Sequence, residues 1–223
     1  SIPNSVQSIA ITSDGKWIFA GDLIGNVYLI ENVNGTIGKH YQWNNTSSLK
    51  TIHTVAMTPD GDWFAAAGND STVYLFSKTS MSGSIPAPAG TFVLDTGGRV
   101  GCVAICDDGV FLSAVGNQST AGAVYGIRNN DGTMTQLWKE PTLRNPNSTS
   151  LDASGEFVTV ADGYPDRTAG HFSLYDGMTG NLHWRYNTVN MNWPMFISAN
   201  GAGICAGTDH GNVFYFTPSS TQD

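Results

Sequence analysis

Charged side chains are scarce in this sequence, since Asp, Glu, Lys and Arg together make up 13% of its 223 residues. Lys and Arg number only 10, they are scattered singly, and the net charge at neutral pH is −8. A protein that binds nucleic acid needs clustered basic side chains to neutralise the phosphates. We therefore expect no nucleic-acid partner.

Long apolar runs are also missing, and so is any sustained helical period. No run approaches the roughly 18 apolar residues of a membrane-spanning helix, so we expect no membrane insertion. Hydrophobic residues nevertheless account for 40% of the chain and aromatic residues for 11%, which is enough for a large core. The composition therefore predicts a folded chain, not a disordered one.

Cysteine is rare, with 3 residues. Cys102 and Cys106 would lie about 13 Å apart along one strand, whereas the Cα atoms of a disulfide lie within about 7 Å of each other. Cys205 occupies the position in its repeat that Phe19 and Ala65 occupy in theirs, which predicts a core position. No histidine stands at a metal-ligand spacing from these thiols. We expect three small buried thiols, no disulfide and no metal site.

The motifs that mark common catalytic and cofactor sites are absent. There is no Gly-x-Ser-x-Gly turn for a nucleophilic serine, no glycine-rich phosphate loop and no Cys-x-x-Cys-His sequence. No set of carboxylates recurs at one end of the chain's repeats, as a glycosidase would require. A Ser-His-Asp set assembled from distant residues stays open. We predict a non-enzymatic protein that carries no cofactor.

What the sequence does contain is a fivefold repeat. Dipeptides that suit tight turns recur at spacings of 46, 48, 46 and 46 residues. A short apolar run precedes each dipeptide, and strands rich in β-branched and aromatic residues follow it. Asp-Gly and Asn-Gly accept the positive φ angles of two-residue hairpins, so we expect such hairpins here. The dipeptides are Asp14-Gly15, Asp60-Gly61, Asp108-Gly109, Ser154-Gly155 and Asn200-Gly201.

A repeat of about 46 residues holds four short strands, and one such sheet cannot bury both of its faces. Radial stacking buries each sheet against its neighbours, which predicts an all-β fold: a β-propeller of five four-stranded antiparallel blades. The chain would be one domain, 1–223, with repeats at about 1–46, 47–94, 95–140, 141–187 and 188–223. The stretch 77–90, rich in Ser, Pro and Gly, is expected to be a flexible surface loop.

The last repeat stops before a fourth strand. The segment that follows Phe216 is short and contains Pro218. Three explanations stay open: a blade of three strands, a sequence that is a piece of a longer propeller, or a strand supplied by another molecule. The third strand of this blade would be an exposed edge, whose unpaired N–H and C=O groups favour pairing with a protein partner or with copies of the same chain. The alternative is a three-stranded blade capped by the tail. The edge-strand residues are Val213, Phe214, Tyr215 and Phe216.

Two segments carry a family resemblance: SIAITSDGKWIFAGDLIGNVYLIE near the N-terminus and LHWRYNTVNMNWPMFISANGAGICAGTDHGNVFYF near the C-terminus. They resemble the WD-repeat-like and pyrroloquinoline-quinone-repeat-like β-propellers, and the likeness extends over nearly the whole chain. The Trp-Asp dipeptide of true WD repeats does not occur. The resemblance implies a propeller, but such repeats serve scaffolds, lectins and enzymes alike. A quinoprotein would need a stacking Trp and a Ca²⁺ site, and only Trp193 fits.

The residue that lies seven positions before the first residue of each turn dipeptide differs from repeat to repeat. We expect these residues to line one mouth of the central channel. Propellers present ligand contacts on such loops. Trp193 is notable, because an indole at a wet mouth can stack on a ligand. The alternative is a mouth that is merely polar. The candidate ligand or partner contacts here are Gln7, His53, Asn147 and Trp193, with Arg99 further out on the same side.

The fourth repeat carries an insertion at 162–170 between its second and third strands. Tyr164, Asp166 and Arg167 in this insertion would suit a sugar or a cation, whereas the alternative is a solvated loop with an internal Asp–Arg pair. We therefore keep these three residues as further binding candidates. Carbohydrate remains a second class of partner beside protein.

Six asparagines head Asn-x-Ser/Thr sequons, which together with the low Lys content favours an extracellular or cell-surface protein. The function that the sequence favours is a non-enzymatic interaction or structural module that assembles through its C-terminal blade edge. The alternative is a lectin-like propeller that binds its ligand at the channel mouth, and a remnant of a quinoprotein dehydrogenase is a third reading. The sequons begin at Asn34, Asn44, Asn45, Asn69, Asn117 and Asn147.

Overall fold

The computed structural model describes residues 4–45, 51–118, 121–164 and 168–220. In these residues 19 β-strands form five antiparallel sheets, with one short helix between two of the strands. In chain order we name the sheets blades 1 to 5. The predicted all-β fold and its organisation as five propeller blades are confirmed.

Blade 1 consists of β1 (Val6–Ile11), β2 (Trp17–Asp22), β3 (Asn26–Val33) and β4 (Thr36–Asn44). Blade 2 consists of β5 (Ile52–Met57), β6 (Trp63–Gly68), β7 (Thr72–Ser77) and β8 (Gly90–Val93). Blade 3 consists of β9 (Val100–Ile105), β10 (Phe111–Gln118), β11 (Ala121–Asn130) and β12 (Thr133–Thr142). Blade 4 consists of β13 (Pro146–Leu151), β14 (Phe157–Gly163), β15 (Gly170–Asp176) and β16 (Leu182–Thr188). Blade 5 consists of β17 (Asn192–Ile197), β18 (Ile204–Thr208) and β19 (Val213–Phe216).

Each strand pairs with its neighbours in sequence, so the first and last strands are the two edges of every blade. Blades 1 to 4 have four strands and blade 5 has three, as the sequence predicted. Side chains alternate between the two faces of a blade. In blade 1, Phe19 faces blade 2, and Ala20 and Ile9, which pair with each other, face the opposite way.

The turn dipeptides join the first and second strands of every blade, as predicted, but the turns are longer than two residues. In blade 1 the Gly15 amide donates to the Thr12 carbonyl at 2.9 Å, and the Thr12 amide donates to the Trp17 carbonyl at 3.0 Å. Gly15 has a φ of +71°, whereas Asp14 does not adopt a positive φ. The prediction of two-residue hairpins is wrong, because the Asp14 carboxylate instead accepts a hydrogen bond from the Thr12 hydroxyl at 2.6 Å.

The stretch 77–90 begins with a helix, which its composition did not suggest. Helix α1 spans Lys78–Ser82, and Ser77 and Ser80 each accept the other's backbone N–H at 3.0 Å. Met81 is fully buried in the core between blades 1 and 2. The expectation of a flexible loop is wrong for 78–82, because a capping box and one apolar anchor hold this turn in place, whereas residues 83–89 form neither helix nor strand. Within the described residues no helix is long and apolar enough to span a membrane.

Four hydrophobic clusters fill the spaces between successive blades. The cluster between blades 1 and 2, for example, contains Phe19 and Phe64 with their ring centroids 5.2 Å apart. The first strands of the blades lie side by side in the order β1, β5, β9, β13 and β17. In the part of the chain that the structure describes, no cluster and no comparable strand contact joins blade 5 to blade 1.

Candidate functional site

The predicted mouth residues share one structural position. Gln7, His53 and Asn147 each lie where the register between the first and second strands of a blade shifts, and Trp193 lies in the corresponding shift of β17. Such a bulge leaves a residue unpaired and changes the direction of its side chain. The sequence equivalence of these residues therefore corresponds to a structural equivalence.

His53 and Arg99 are the two predicted residues that act on each other. The Nε2 atom of His53 lies 2.7 Å from the Oδ1 atom of Asn69. Burial lowers the pKa of His53, and the Arg99 guanidinium lowers it further, while the hydrogen bond to Asn69 works in the opposite direction. His53 is therefore held towards its neutral form, in which the imidazole can both donate and accept a hydrogen bond.

Asn147 faces the protein interior. Its side chain is 2% exposed, and its Nδ2 atom donates to the carbonyls of Gly163 and Asn192, both at 3.2 Å. These bonds tie β13 to β14 in the same blade and to β17 in the next. The side-chain amide of Asn147 thus serves blade packing and is closed to a ligand.

The other candidates do not form a cluster. Gln7 is exposed, the Trp193 side chain is 40% exposed, and Tyr164 is half-buried. In the described ranges no hydrogen bond or ion pair joins any two of these three residues. Asp166 and Arg167 lie outside the described residues. The binding roles of the mouth and insertion residues stay predictions.

The third strand of several blades contains a buried polar side chain that the sequence analysis did not predict. Tyr28, Tyr74 and Tyr125 each follow a valine in that strand, and each hydroxyl donates to an aspartate carboxylate. The pair Tyr74–Asp70 is closed by a 2.6 Å bond, and burial together with Asp22 raises the pKa of Tyr28 to about 12. The repeated Val-Tyr dipeptide was the sequence signal for this position.

Blade 4 has a buried aspartate whose partner is a histidine two positions earlier in the third strand than the tyrosine of the other blades. His171 on β15 and Asp162 on β14 are paired across the strands, and Nδ1 of His171 lies 2.7 Å from Oδ1 of Asp162. Both side chains are buried. The described residues contain no group of three or more His, Cys, Asp or Glu side chains that could hold a metal ion.

The clearest exposed feature is the edge strand β19. Val213 is 84% exposed and Tyr215 is 68% exposed, whereas Phe216 is 8% exposed. Phe214 and Phe216 face blade 4, with ring centroids 5.4 and 6.0 Å from that of Phe172. β19 is therefore anchored by one face while its other face is open.

The backbone of β19 also has an open side. The Thr208 amide donates to the Asn212 carbonyl at 3.1 Å, so Asn212 and every second residue after it face β18. Val213 and Tyr215 consequently direct their N–H and C=O groups away from the sheet. In blade 2 the residue equivalent to Tyr215 is Leu75, whose carbonyl accepts the Ala89 amide from the fourth-strand side at 2.7 Å.

An open groove of about 680 Å³ lies between blades 2 and 3. Trp63 forms one wall, and the turn at Asp108 together with Arg128 and Asp131 forms the others. Sequence reasoning did not single out this groove, because its walls come from two repeats.

The comparisons with known proteins bear on the fold. The family model described as WD domain, G-beta repeat, matches residues 40–77. A solved structure, the β-propeller domain of Myceliophteria thermophila Cps50 (Swd1), matches with a TM-score of 0.76 and 9% sequence identity. The match covers 97% of this chain and 66% of that chain, so this chain spans just under two thirds of its length. No curated protein is significantly similar in sequence.

The resemblance to WD-repeat propellers is thus confirmed, by the family-model match to residues 40–77 and by the fold of nearly the whole chain. The likeness to pyrroloquinoline-quinone repeats stays a prediction. Because the identity to the solved propeller is 9%, that match concerns the fold and does not transfer a partner.

Proposed function

We propose that this protein is a non-enzymatic interaction module, which binds a strand from a protein partner or from another copy of itself along the free edge of β19. One observation carries the proposal: a fourth strand covers the third in blades 1 to 4, whereas no described residue pairs with the outer edge of the third strand in blade 5. Unpaired N–H and C=O groups along such an edge are a template for an added strand.

The usual protections of an edge strand are missing from β19. The strand contains neither lysine nor proline, and all four of its residues are β-branched or aromatic. The tail does not supply the fourth strand within the described residues either. The Ser220 amide donates to the Thr217 carbonyl at 3.0 Å, so the tail closes into its own turn. These features support pairing of β19 with another chain.

A substitution by proline at Tyr215 tests this edge. The Tyr215 amide points away from β18, so Tyr215→Pro removes an N–H from the free edge and spares the bonds to β18. Tyr215→Ala is the matched control, because it also removes the ring but keeps the N–H. We expect the unmodified protein and Tyr215→Ala to associate at high concentration in light scattering, and Tyr215→Pro to remain monomeric.

Hydrogen exchange provides the second readout. In the associated protein the amides of Val213 and Tyr215 should exchange slowly, because an added strand accepts their hydrogens. An unmodified protein that is monomeric at high concentration, with these amides in free exchange, would rule out self-pairing. A strand peptide that binds equally well to the Tyr215→Pro variant would rule out the edge as the contact.

An extracellular or cell-surface location belongs to the same proposal. Asn34 and Asn69 are exposed, whereas Asn45 and Asn147 are buried at 3% and 2%. Asn34 lies in the turn between β3 and β4 and is the sequon best placed to accept a glycan. Mass spectrometry of the protein from a eukaryotic secretory host should find glycan at Asn34 and none at Asn147. Unmodified Asn34 would remove the support that this sequon gives.

A further inference from the structure

One indole differs from its counterparts in the other blades. The second strand of blades 1 to 4 begins with an aromatic residue, whose ring lies against the turn glycine of the next blade. Three of these rings have a cation or a second ring beside them, whereas the described residues place neither beside Trp63. Trp63 instead faces the open groove between blades 2 and 3. The three covered rings and their partners are Trp17 with Lys78, Phe111 with Trp138, and Phe157 with His183.

The junction between blades 1 and 2 shows which chemistry suits this position. The Lys78 ammonium lies 5.1 Å from the centroid of the Trp17 ring, a cation–π distance. Asn129 is the equivalent of Lys78 in blade 3. Both residues donate their backbone N–H to the carbonyl of the residue just before the second strand of the same blade, at 2.7 and 2.9 Å. Because Asn129 carries no charge, the junction between blades 2 and 3 lacks the cation that covers the indole in the junction before it.

The side chain of Asn129 holds the walls of the groove in place. Its Nδ2 atom donates to the Gly109 carbonyl at 2.9 Å, and its Oδ1 atom accepts the Gly132 amide at 2.8 Å. These bonds join the turn at Gly109 to the turn that carries Asp131. A Cβ on Gly90 of blade 2 would collide with the Gly132 carbonyl, so the second turn lies directly on blade 2. The groove is therefore built by the contact of two internal blades and lies away from both terminal blades.

The surface around the groove is acidic. The five turns between first and second strands hold seven acidic residues and one basic residue. Burial raises the pKa of Asp107, and the charges of three carboxylates from blades 2, 3 and 4 raise it further. A cation that docks beside these turns relieves their mutual repulsion. The acidic residues are Asp14, Asp60, Asp62, Asp107, Asp108, Asp152 and Glu156, and the basic residue is Lys16.

We infer that the groove at Trp63 binds a lysine or arginine side chain on an exposed basic segment of a partner protein. The indole offers a cation–π face, and Asp108 and Asp131 on the groove walls offer the opposite charge. At about 680 Å³ the groove is as large as pockets that enclose a whole drug-sized ligand. It therefore holds a side chain together with the neighbouring residues of the segment.

Arg128 gives the inference a sign that can be measured. It is an exposed basic residue on the groove wall, and its charge opposes a bound cation. Arg128→Gln should therefore tighten the binding of a cationic segment about threefold, whereas it would weaken the binding of an anionic one.

A short basic peptide tests the groove. The probe is the acetylated and amidated peptide Gly-Ser-Lys-Arg-Lys-Ser-Gly, and its control has Glu at the three basic positions. At low ionic strength, where screening is weak, the probe should shift the NMR signal of the Trp63 indole N–H. The indole of Trp17, which Lys78 already covers, should not shift. Affinities are measured by the anisotropy of a fluorescent label on the probe.

Two substitutions and a matched control separate a binding role from a structural one. Asp131→Asn keeps a residue that tolerates the φ of +49° and should weaken the probe at least about threefold. Asp209→Asn makes the same change in charge in the turn between β18 and β19 and should leave the affinity unchanged. Trp63→Leu removes the π face but keeps an apolar side chain, and it should also weaken the probe at least about threefold. If Trp63→Leu does not fold, the Asp131 and Arg128 variants decide the question.

Three results would overturn the inference. The first is no shift of the Trp63 indole at millimolar concentrations of the basic peptide. The second is binding of the Glu peptide that weakens in Arg128→Gln, which would make an anion the occupant. The third is a larger shift of Trp63 with an oligosaccharide such as cellohexaose, which would make the groove a sugar site. Because β19 belongs to blade 5, Tyr215→Pro should leave peptide binding unchanged, and the proposed function and this inference can fail separately.

Discussion

Two glycine-to-alanine substitutions separate backbone strain from contact between blades. Gly15 and Gly109 occupy equivalent turns and have the same φ of +71°. Alanine in this left-handed conformation costs about 1–2 kcal/mol at either position. The two sites differ only in what lies across from them, since Gly109 lies against Trp63 and Gly15 faces open space.

The contact term can be estimated from the geometry. An added Cβ at Gly109 would lie 2.4 Å from Cδ1 and 2.9 Å from Cγ of Trp63, well inside van der Waals contact. Overpacking of this kind costs about 1–3 kcal/mol. We therefore expect Gly15→Ala to lower the free energy of unfolding by about 1–2 kcal/mol and Gly109→Ala to lower it by about 2–5 kcal/mol.

Urea unfolding followed by circular dichroism measures both losses, provided that the slope of the transition is the same in the two variants. Gly15→Ala should shift the midpoint less than Gly109→Ala. Equal shifts would refute the reasoning, because they would mean that a blade covers Gly15 as Trp63 covers Gly109. A loss at Gly15 above that at Gly109 would refute it too.

Three further predictions concern single side chains. Tyr74→Phe should cost about 1–2 kcal/mol in urea unfolding, because it removes the hydroxyl that donates to Asp70. NMR titration should give His53 a pKa below 6.5, so its contribution to stability is present above pH 6.5 and is lost as the pH falls through the folded pKa; Arg99→Ala should raise that pKa. Met81→Ala should cost about 2–5 kcal/mol, and no loss would contradict the anchoring of α1 in the core.

The repeat made most of the fold predictable. The turn spacing and the β-branched strands specify five sheets, and the short segment after Phe216, which contains Pro218, indicated that the described part of the last blade has three strands. Helix α1 was not predictable from composition, because it rests on hydrogen bonds between Ser77 and Ser80 and on the burial of Met81. The capping hydrogen bonds make this segment helical, although its Ser-, Pro- and Gly-rich composition is typical of a loop.

The candidate site could be predicted from sequence only where a residue's position within the repeat determines its surroundings. The repeat gave Gln7 and His53 equivalent positions, which the structure shows as bulges that the sequence had not predicted. It gave no indication that Asn147 turns inward, because that depends on carbonyls of two different strands. The expectation that Cys205 is buried is wrong for a related reason, since this thiol is exposed. Its repeat position specifies a buried face, while its burial depends on a further blade, which no repeat of the described chain supplies.

The accessibility of Cys205 tests the central claim most directly. Thiol labelling of the native monomer at low concentration, followed residue by residue with mass spectrometry, compares the exposed Cys205 on blade 5 with the buried Cys106. Because Cys205 is exposed and Cys106 is buried, we predict that Cys205 reacts within about tenfold of its rate in the unfolded chain, while Cys106 reacts only on unfolding. Labelling of Cys205 as slow as that of Cys106 would contradict the account, because it would show that blade 5 is covered in the isolated chain.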